Sequence, residues 1–270
     1  MENKSKALEY LNIPRSTFYY VSKKDEKDLE LKKRIEEVLQ ANPSYGHRRI
    51  SIELKINRKR IKRVMKKFDI RSRRNRKKPV KQWVNDGNAA SPNLIKDIVP
   101  LCKNHIWVTD FTYIKWHSKF VYLATVIDLY TREVVGLSIK TNHSALLTSE
   151  ALLNALASNP HPEIIHSDQG SEYKAKLFRK ILGEHGILQS MSKKGSPWQN
   201  GFQESFYGNF KVDIGNVNRF ETLGELAAEL YRSIFYYNNQ RIHLSLGMAP
   251  RKFAEKNTVE YNINQEILVV

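Results

Sequence analysis

Three acidic residues stand where folding alone has no need of acids. Asp110 falls inside Ile106-Trp-Val-Thr-Asp110-Phe-Thr-Tyr-Ile, a run of β-branched and aromatic residues that reads as a strand. An acid there must be paired or hold a cation, and a buried salt bridge is the plain alternative. Asp168 sits in Ile-Ile-His-Ser-Asp168-Gln-Gly-Ser, where a strand gives way to a loop. Glu204 lies in Asn200-Gly-Phe-Gln-Glu204-Ser-Phe-Tyr-Gly-Asn-Phe-Lys211, a helical segment. Hard carboxylate oxygens of this kind suit Mg²⁺ or Mn²⁺, which keep several waters and complete their shell with phosphate oxygens. Two such ions on one phosphate activate the attacking oxygen and stabilise the leaving one, so the chemistry indicated is phosphodiester cleavage or transfer.

The helix carrying Glu204 can be drawn as a wheel. Ser196 suits the N-cap and Pro197 the first helical position. At about 100° per residue, Trp198, Phe202, Phe206 and Phe210 form one apolar stripe expected to face a core. Glu204 lies about 160° from that stripe, and Lys211 returns to within roughly 20° of Glu204, with Asn200 and Gly208 flanking the same face. Gly201 and Gly208 each cost about 1 kcal/mol against alanine, and close approach of a phosphodiester strand would offset this. A helix Glu near a Lys is also an ordinary solvated pair. With 28 acidic residues in the chain, spacing alone decides little.

The elements that must position these groups follow from composition and patterning. A chain of 270 residues, 41% hydrophobic, allows one large or two modest domains with a sizeable core. No apolar run reaches the length of a membrane span and no signal-peptide pattern opens the chain, so a soluble, cytoplasmic protein is expected. Cys102 is the only cysteine, which excludes a disulfide framework and a Cys-rich zinc site. Net charge is +17, and most of it is local. From Arg48 to Lys81 there are 17 Lys and Arg against Glu53 and Asp69, a local excess of +15. Such a block favours polyanions, with a merely solubilising face as the bland alternative.

Residues 1–69 read as helical. Leu29, Ile35, Val38 and Leu39 mark a helix over about 25–41, a second follows over about 47–54, and Ile61, Val64, Met65 and Phe68 mark a third. The third carries Arg58, Lys59, Arg60, Lys62, Arg63, Lys66 and Lys67 on its other faces, with Arg48 and Arg49 on the second. That trio fits a helix-turn-helix-like, all-α DNA-binding domain, with a basic helix that binds RNA or decorates a surface as the lesser alternative. Residues 70–104, with Arg71, Arg73, Arg74, Arg76, Lys77 and Lys78 followed by Pro79, Pro92 and Pro100, read as a basic linker that tracks a phosphate backbone. Residues 105–240 hold three hairpin-connected strands followed by alternating helices and strands, an α/β pattern of a mixed sheet with flanking helices. Thr222-Leu-Gly-Glu225 opens the last long helix with a capping box, and 241–270 are read as a tail.

The three acidic blocks, with 35 residues between Asp168 and Glu204, resemble those of the DDE transposase and retroviral integrase superfamily. Tyr45-Gly-His-Arg-Arg-Ile and Tyr237-Asn-Asn-Gln-Arg-Ile-His-Leu-Ser-Leu-Gly narrow the resemblance to insertion-sequence transposases of the IS three family, OrfB type, over nearly the whole chain. The resemblance implies an RNase H-like, mixed five-stranded catalytic core in which Asp110, Asp168 and Glu204 bind two divalent ions, Mg²⁺ or Mn²⁺. It implies water attack at an element end to free a 3′-OH, then direct attack of that hydroxyl on a second DNA strand. Lys211 matches the family's basic residue that contacts the element end. Implied partners are DNA, as terminal inverted repeats and target, and a further copy of the chain, at least a dimer on DNA. The chain begins at Met1 without the family's upstream first-frame segment, so that product is a further expected partner. The competing reading is a catalytically inactive DNA-binding regulator, and a structure-specific nuclease of the same fold is a third.

Overall fold

The computed structural model describes residues 10–11, 14–18, 24–73, 91–193 and 201–257. The chain divides into two compact units, Met1–Ser72 and Arg73–Val270. No helix among the described residues is long and apolar enough to cross a membrane.

The first unit is a helical trio: α1 (Lys24–Ala41), α2 (His47–Leu54) and α3 (Arg58–Lys67). Its core is small, built from Leu31, Ile35, Tyr45, Ile50, Ile61 and Val64. Asn57 caps α3, its side chain accepting from the Lys59 amide at 2.8 Å. One acid pins α1 to α3. Asp28, only 1% exposed, accepts both guanidinium nitrogens of Arg63 at 2.6 Å each and the Lys67 ammonium at 3.1 Å. The Arg63 hydrogen bonds hold its carboxyl well below the usual carboxylate range, against the opposing effect of burial. Because the folded value lies below that of the unfolded chain, about 3.9, the stabilisation is complete above that value and is lost as pH falls towards the folded one. Helical circular dichroism of the unit is therefore expected to fall on acidification below about pH 4. Asp28→Asn is expected to be less stable at pH 7 and flatter below pH 4.

The second unit is built on a five-stranded sheet of order β3-β2-β1-β4-β5. Strands β1 (Ile106–Trp116), β2 (Lys119–Asp128) and β3 (Val134–Lys140) form an antiparallel meander, while β4 (Ile164–Ser167) and β5 (Leu188–Met191) add in parallel. The longer helices are α4 (Ala145–Ser158), α5 (Lys176–Glu184), α6 (Gly201–Ile214), α7 (Leu223–Asn239) and α8 (Pro250–Lys256), with a single turn at Ser171–Lys174. One apolar cluster joins Ile106, Val108, Ile114 and Leu123 of the sheet to Phe206, Phe210, Leu226 and Leu230 of α6 and α7. A second joins Trp107, Ala124 and Val126 to Leu147, Leu152, Phe178 and Leu182 of α4 and α5. Alternate residues of β1 thus feed opposite layers, as a strand covered on both faces requires. The capping box at Thr222 and Glu225 is formed.

Gly136 of β3 lies where α4 crosses the sheet, and a Cβ there would stand 2.3 Å from the Ala151 carbonyl oxygen. Gly136→Val is expected to lower stability by about 1–3 kcal/mol, readable as a denaturant midpoint shift.

Three expectations change. Residues 70–104 are not linker throughout: the Met191 amide donates to the Pro92 carbonyl, the Leu94 amide donates to Ser190 Oγ at 2.9 Å, and Leu94 and Ile95 pack on the core. The segment after residue 240 is not all tail, since it contains α8. The aromatic stripe of α6 also fails at Phe202, which is exposed beneath the Arg132 guanidinium, 4.1 Å from the ring centroid. Burial falls instead on Gln203, Phe206, Tyr207, Phe210 and Ile214. Ser196, Pro197 and Trp198 lie outside the described residues.

Candidate active site

Strand register brings the two aspartates level. β1 and β4 are parallel, with Val108 opposite His166. Two residues beyond each lie Asp110, on the central strand of the sheet, and Asp168, just past the end of β4. Asp110 Oδ1 accepts from the Phe111 amide at 2.8 Å and Asp168 Oδ1 from the Gly170 amide at 2.9 Å. Gly170 leaves room for both acids, since a Cβ there would stand 3.0 Å from Asp168 Oδ1 and 3.1 Å from Glu172 Oε2.

Electrostatics single out Asp110. Burial first, then the charge of Asp168 and more weakly that of Glu204, push its carboxyl up to about 7, against the Phe111 amide. Asp168 is also raised, chiefly by burial and in part by Glu172, with the Gly170 amide and Lys174 acting the other way. Glu204 is exposed on the first turn of α6. Its charge acts on Asp110, yet no three His, Cys, Asp or Glu side chains among the described residues stand close enough to hold a metal ion. Asp110 thus feels the charge of both other acids, that of Asp168 more strongly than that of Glu204.

What holds Glu204 in register is its neighbour. Gln203 is fully buried, and its Nε2 donates to the Val108 carbonyl at 2.9 Å while Oε1 accepts from Thr125 Oγ1 at 3.1 Å. One turn on, the Tyr207 hydroxyl donates to the Asp110 carbonyl at 2.7 Å and lies 2.8 Å from Thr125 Oγ1. Thr125 is the β2 residue paired with Asp110. Helix α6 is therefore tied by hydrogen bonds to the backbone of the strand that bears Asp110. Lys211 extends this attachment: its ammonium donates to the Tyr113 carbonyl at 2.8 Å and sits 5.0 Å from the Tyr113 ring centroid, with its pKa lowered by burial.

Comparison with known proteins bears on this arrangement. Integrase core domain models match residues 100–197 and 185–250, and an HTH-like domain model matches residues 26–78. The chain is 34% identical over 259 residues to InsK of insertion sequence element IS150 from Escherichia coli (strain K12), covering 91% of each. It is 30% identical over 223 residues to the transposase InsF for insertion sequence IS3A of the same organism, covering 79% of this chain and 77% of that protein. The chain belongs to the insertion-sequence transposases of the IS three family. The simian T-cell lymphotropic virus intasome, with 18% identity, 72% of this chain and 64% of that chain covered, and a TM-score of 0.52, shares the fold alone.

In this transposase the basic candidates divide into two kinds. Arg48 of α2, Arg58, Lys59, Arg60, Lys62 and Lys66 of α3, and Arg73 beyond them are exposed. Arg71 is exposed and paired with Asp69 at 2.9 Å, while Arg49 is half-buried over the Tyr45 ring. Arg63 and Lys67, expected on the DNA-facing exterior, are instead engaged with Asp28, and Lys67 also reaches Asp25 at 2.5 Å. Their place on the helix turns them towards α1. Asn200, Arg74, Arg76, Lys77 and Lys78 lie outside the described residues.

The sequence reading missed Gln203 and Tyr207, although their i, i+4 spacing around Glu204 was visible. It also missed the Glu172–His143 pair at 2.9 Å, which sets a fourth carboxylate beside Asp168, its His143 ring between Phe111 and Tyr122. No local signal marks that contact, which spans 29 positions.

Proposed function

We propose that this transposase cleaves insertion-sequence ends to free a 3′-OH and joins that end to a second DNA strand, using Asp110, Asp168 and Glu204 to hold two divalent cations, Mg²⁺ or Mn²⁺. The observation that carries the reading is Asp110 itself: a carboxylate in a central strand whose burial is aggravated by two further acids. A fold retains that arrangement when a cation completes it. The donor set fits, since carboxylate oxygens are the ligands Mg²⁺ and Mn²⁺ take beside phosphate.

Bound cations would polarise the scissile phosphate and make the attacking oxygen a better nucleophile. Asp110, on β1, and Asp168, just past the end of the adjacent β4, supply the rigid half of the cradle. Glu204, exposed and with its helix fixed by Gln203 and Tyr207, supplies the half that closes by side-chain rotation. Lys211 lies beside the same strand and contacts the element end. Exposed Arg and Lys of α2 and α3 neutralise phosphates, with Asn200 and the basic residues 71–78 assisting. On DNA the protein works as at least a dimer that pairs two ends, with the upstream first-frame product as a further subunit.

The test is incubation of the purified protein with duplex DNA carrying the element's terminal repeat, with Mg²⁺ or with chelator. Cation-dependent cleavage followed by a joined product is the expected result. Tight binding without either product would establish the inactive regulator, and cleavage without joining would establish a nuclease.

A further inference from the structure

We propose that the β1–β2 hairpin carries a stacking platform for an unpaired nucleotide of the DNA substrate, a reading that rests on the transposase function and extends it. Tyr113 and Phe120 are 59% and 45% exposed and meet edge to face, with centroids 5.5 Å apart and planes at 90°. Both are on the sheet that holds Asp110; Tyr113 follows Asp110 by three residues, about 10 Å along the strand, and its side chain alternates to the other face of the sheet.

The surroundings suit a nucleotide. The Lys211 ammonium lies 5.0 Å from the Tyr113 ring centroid. Lys115 is paired across the ladder with Phe120, and Lys119 with Trp116; both lysines are exposed. From Phe111 to Tyr122 the sequence contains no Asp or Glu. A pocket of about 320 Å³ opens beside Phe120, with Trp116, Tyr122 and Thr141 among its walls. Exposed rings offer π-faces to bases, and the lysines around them offer cations to phosphates. That combination is how single strands are held without regard to sequence. A base inside a duplex is already stacked on both sides, so the platform selects a nucleotide released from pairing, as at a frayed or nicked end.

The experiment measures binding alone, in chelator, so that it does not depend on chemistry. Two duplexes of arbitrary sequence are compared, one blunt and one with a three-nucleotide unpaired extension carrying 2-aminopurine. The wild-type protein is expected to bind the extended duplex about tenfold more tightly and to quench the 2-aminopurine. Tyr113→Leu with Phe120→Leu is expected to lose both effects while binding the blunt duplex as before, and Tyr113→Trp is expected to keep them. Both altered positions are exposed, and a thermal melt verifies folding. No preference in the wild type, or an undiminished preference in the double variant, overturns the platform. A protein that joins DNA ends but shows no such preference refutes the platform alone. One with the preference but no cation-dependent joining refutes the transfer chemistry alone.

Discussion

Asp110→Asn is expected to reduce cation-dependent strand joining by roughly a thousandfold while leaving the protein more stable than wild type when no metal is present. The two outcomes share one cause. In the wild type the carboxylate is opposed by burial and by the charge of Asp168, so the fold works against its ionised form. Asparagine keeps the shape and removes the charge, relieving that repulsion, but it also removes the ligand a divalent ion requires. Melting temperatures with and without Mg²⁺ separate the terms. A cation that binds only the folded state stabilises by mass action, about 2.7 kcal/mol at a hundred times its dissociation constant. The wild type should gain from Mg²⁺ and the variant should not. A variant that joined DNA ends normally, or still gained stability from Mg²⁺, would remove Asp110 from the cation site.

Gln203→Leu is expected to lower kcat by about a hundredfold with little change in DNA affinity. Gln203 touches no reacting group. Its amide spans the Val108 carbonyl and the Thr125 hydroxyl, and the residue after it is Glu204. Leucine fills the space without making either bond, so the helix is free to shift against β1, and an offset of about 1 Å is enough to produce such a loss. The substitution should also cost about 1–3 kcal/mol in stability, from buried polar groups left without partners. Tyr207→Phe, which removes only the hydroxyl shared by the Asp110 carbonyl and Thr125, is expected to act in the same direction but less strongly. A fall confined to kcat, with KM and DNA binding retained, marks a positioning role. A loss of DNA binding in parallel with kcat would mark a merely structural one.

The strands of the core were legible because β1, β2 and β3 are dense in β-branched and aromatic residues and are separated by short polar turns. Asp110 and Asp168 were legible for the opposite reason, being acids in places that local rules reject. The phenylalanines of α6 do not by themselves fix which way the helix faces, since Phe202 is exposed while Phe206 and Phe210 are buried. A neutral amide and a tyrosine hydroxyl share the buried face with Phe206 and Phe210, since the strands offer them carbonyl and hydroxyl partners. Phe202 is left to a cation on the turn between β2 and β3. Patterning by hydrophobicity has no means of finding a polar anchor whose partners lie 78 to 95 positions away. The same limit hid the role of Asp28, whose arginine partner is 35 positions on.

The division of the cations on α3 also determines how binding should respond to ionic strength. Counterions leave DNA only where a free positive group replaces them, with a logarithmic salt slope of about 0.9 per neutralised phosphate. Arg63 and Lys67 already neutralise an internal acid, so they should contribute little to that slope, whereas Lys62 and Lys66 each have a full charge to bring to it. A helix that looks uniformly basic on paper therefore carries two populations of charge, one spent on its own architecture and one held in reserve for the nucleic acid.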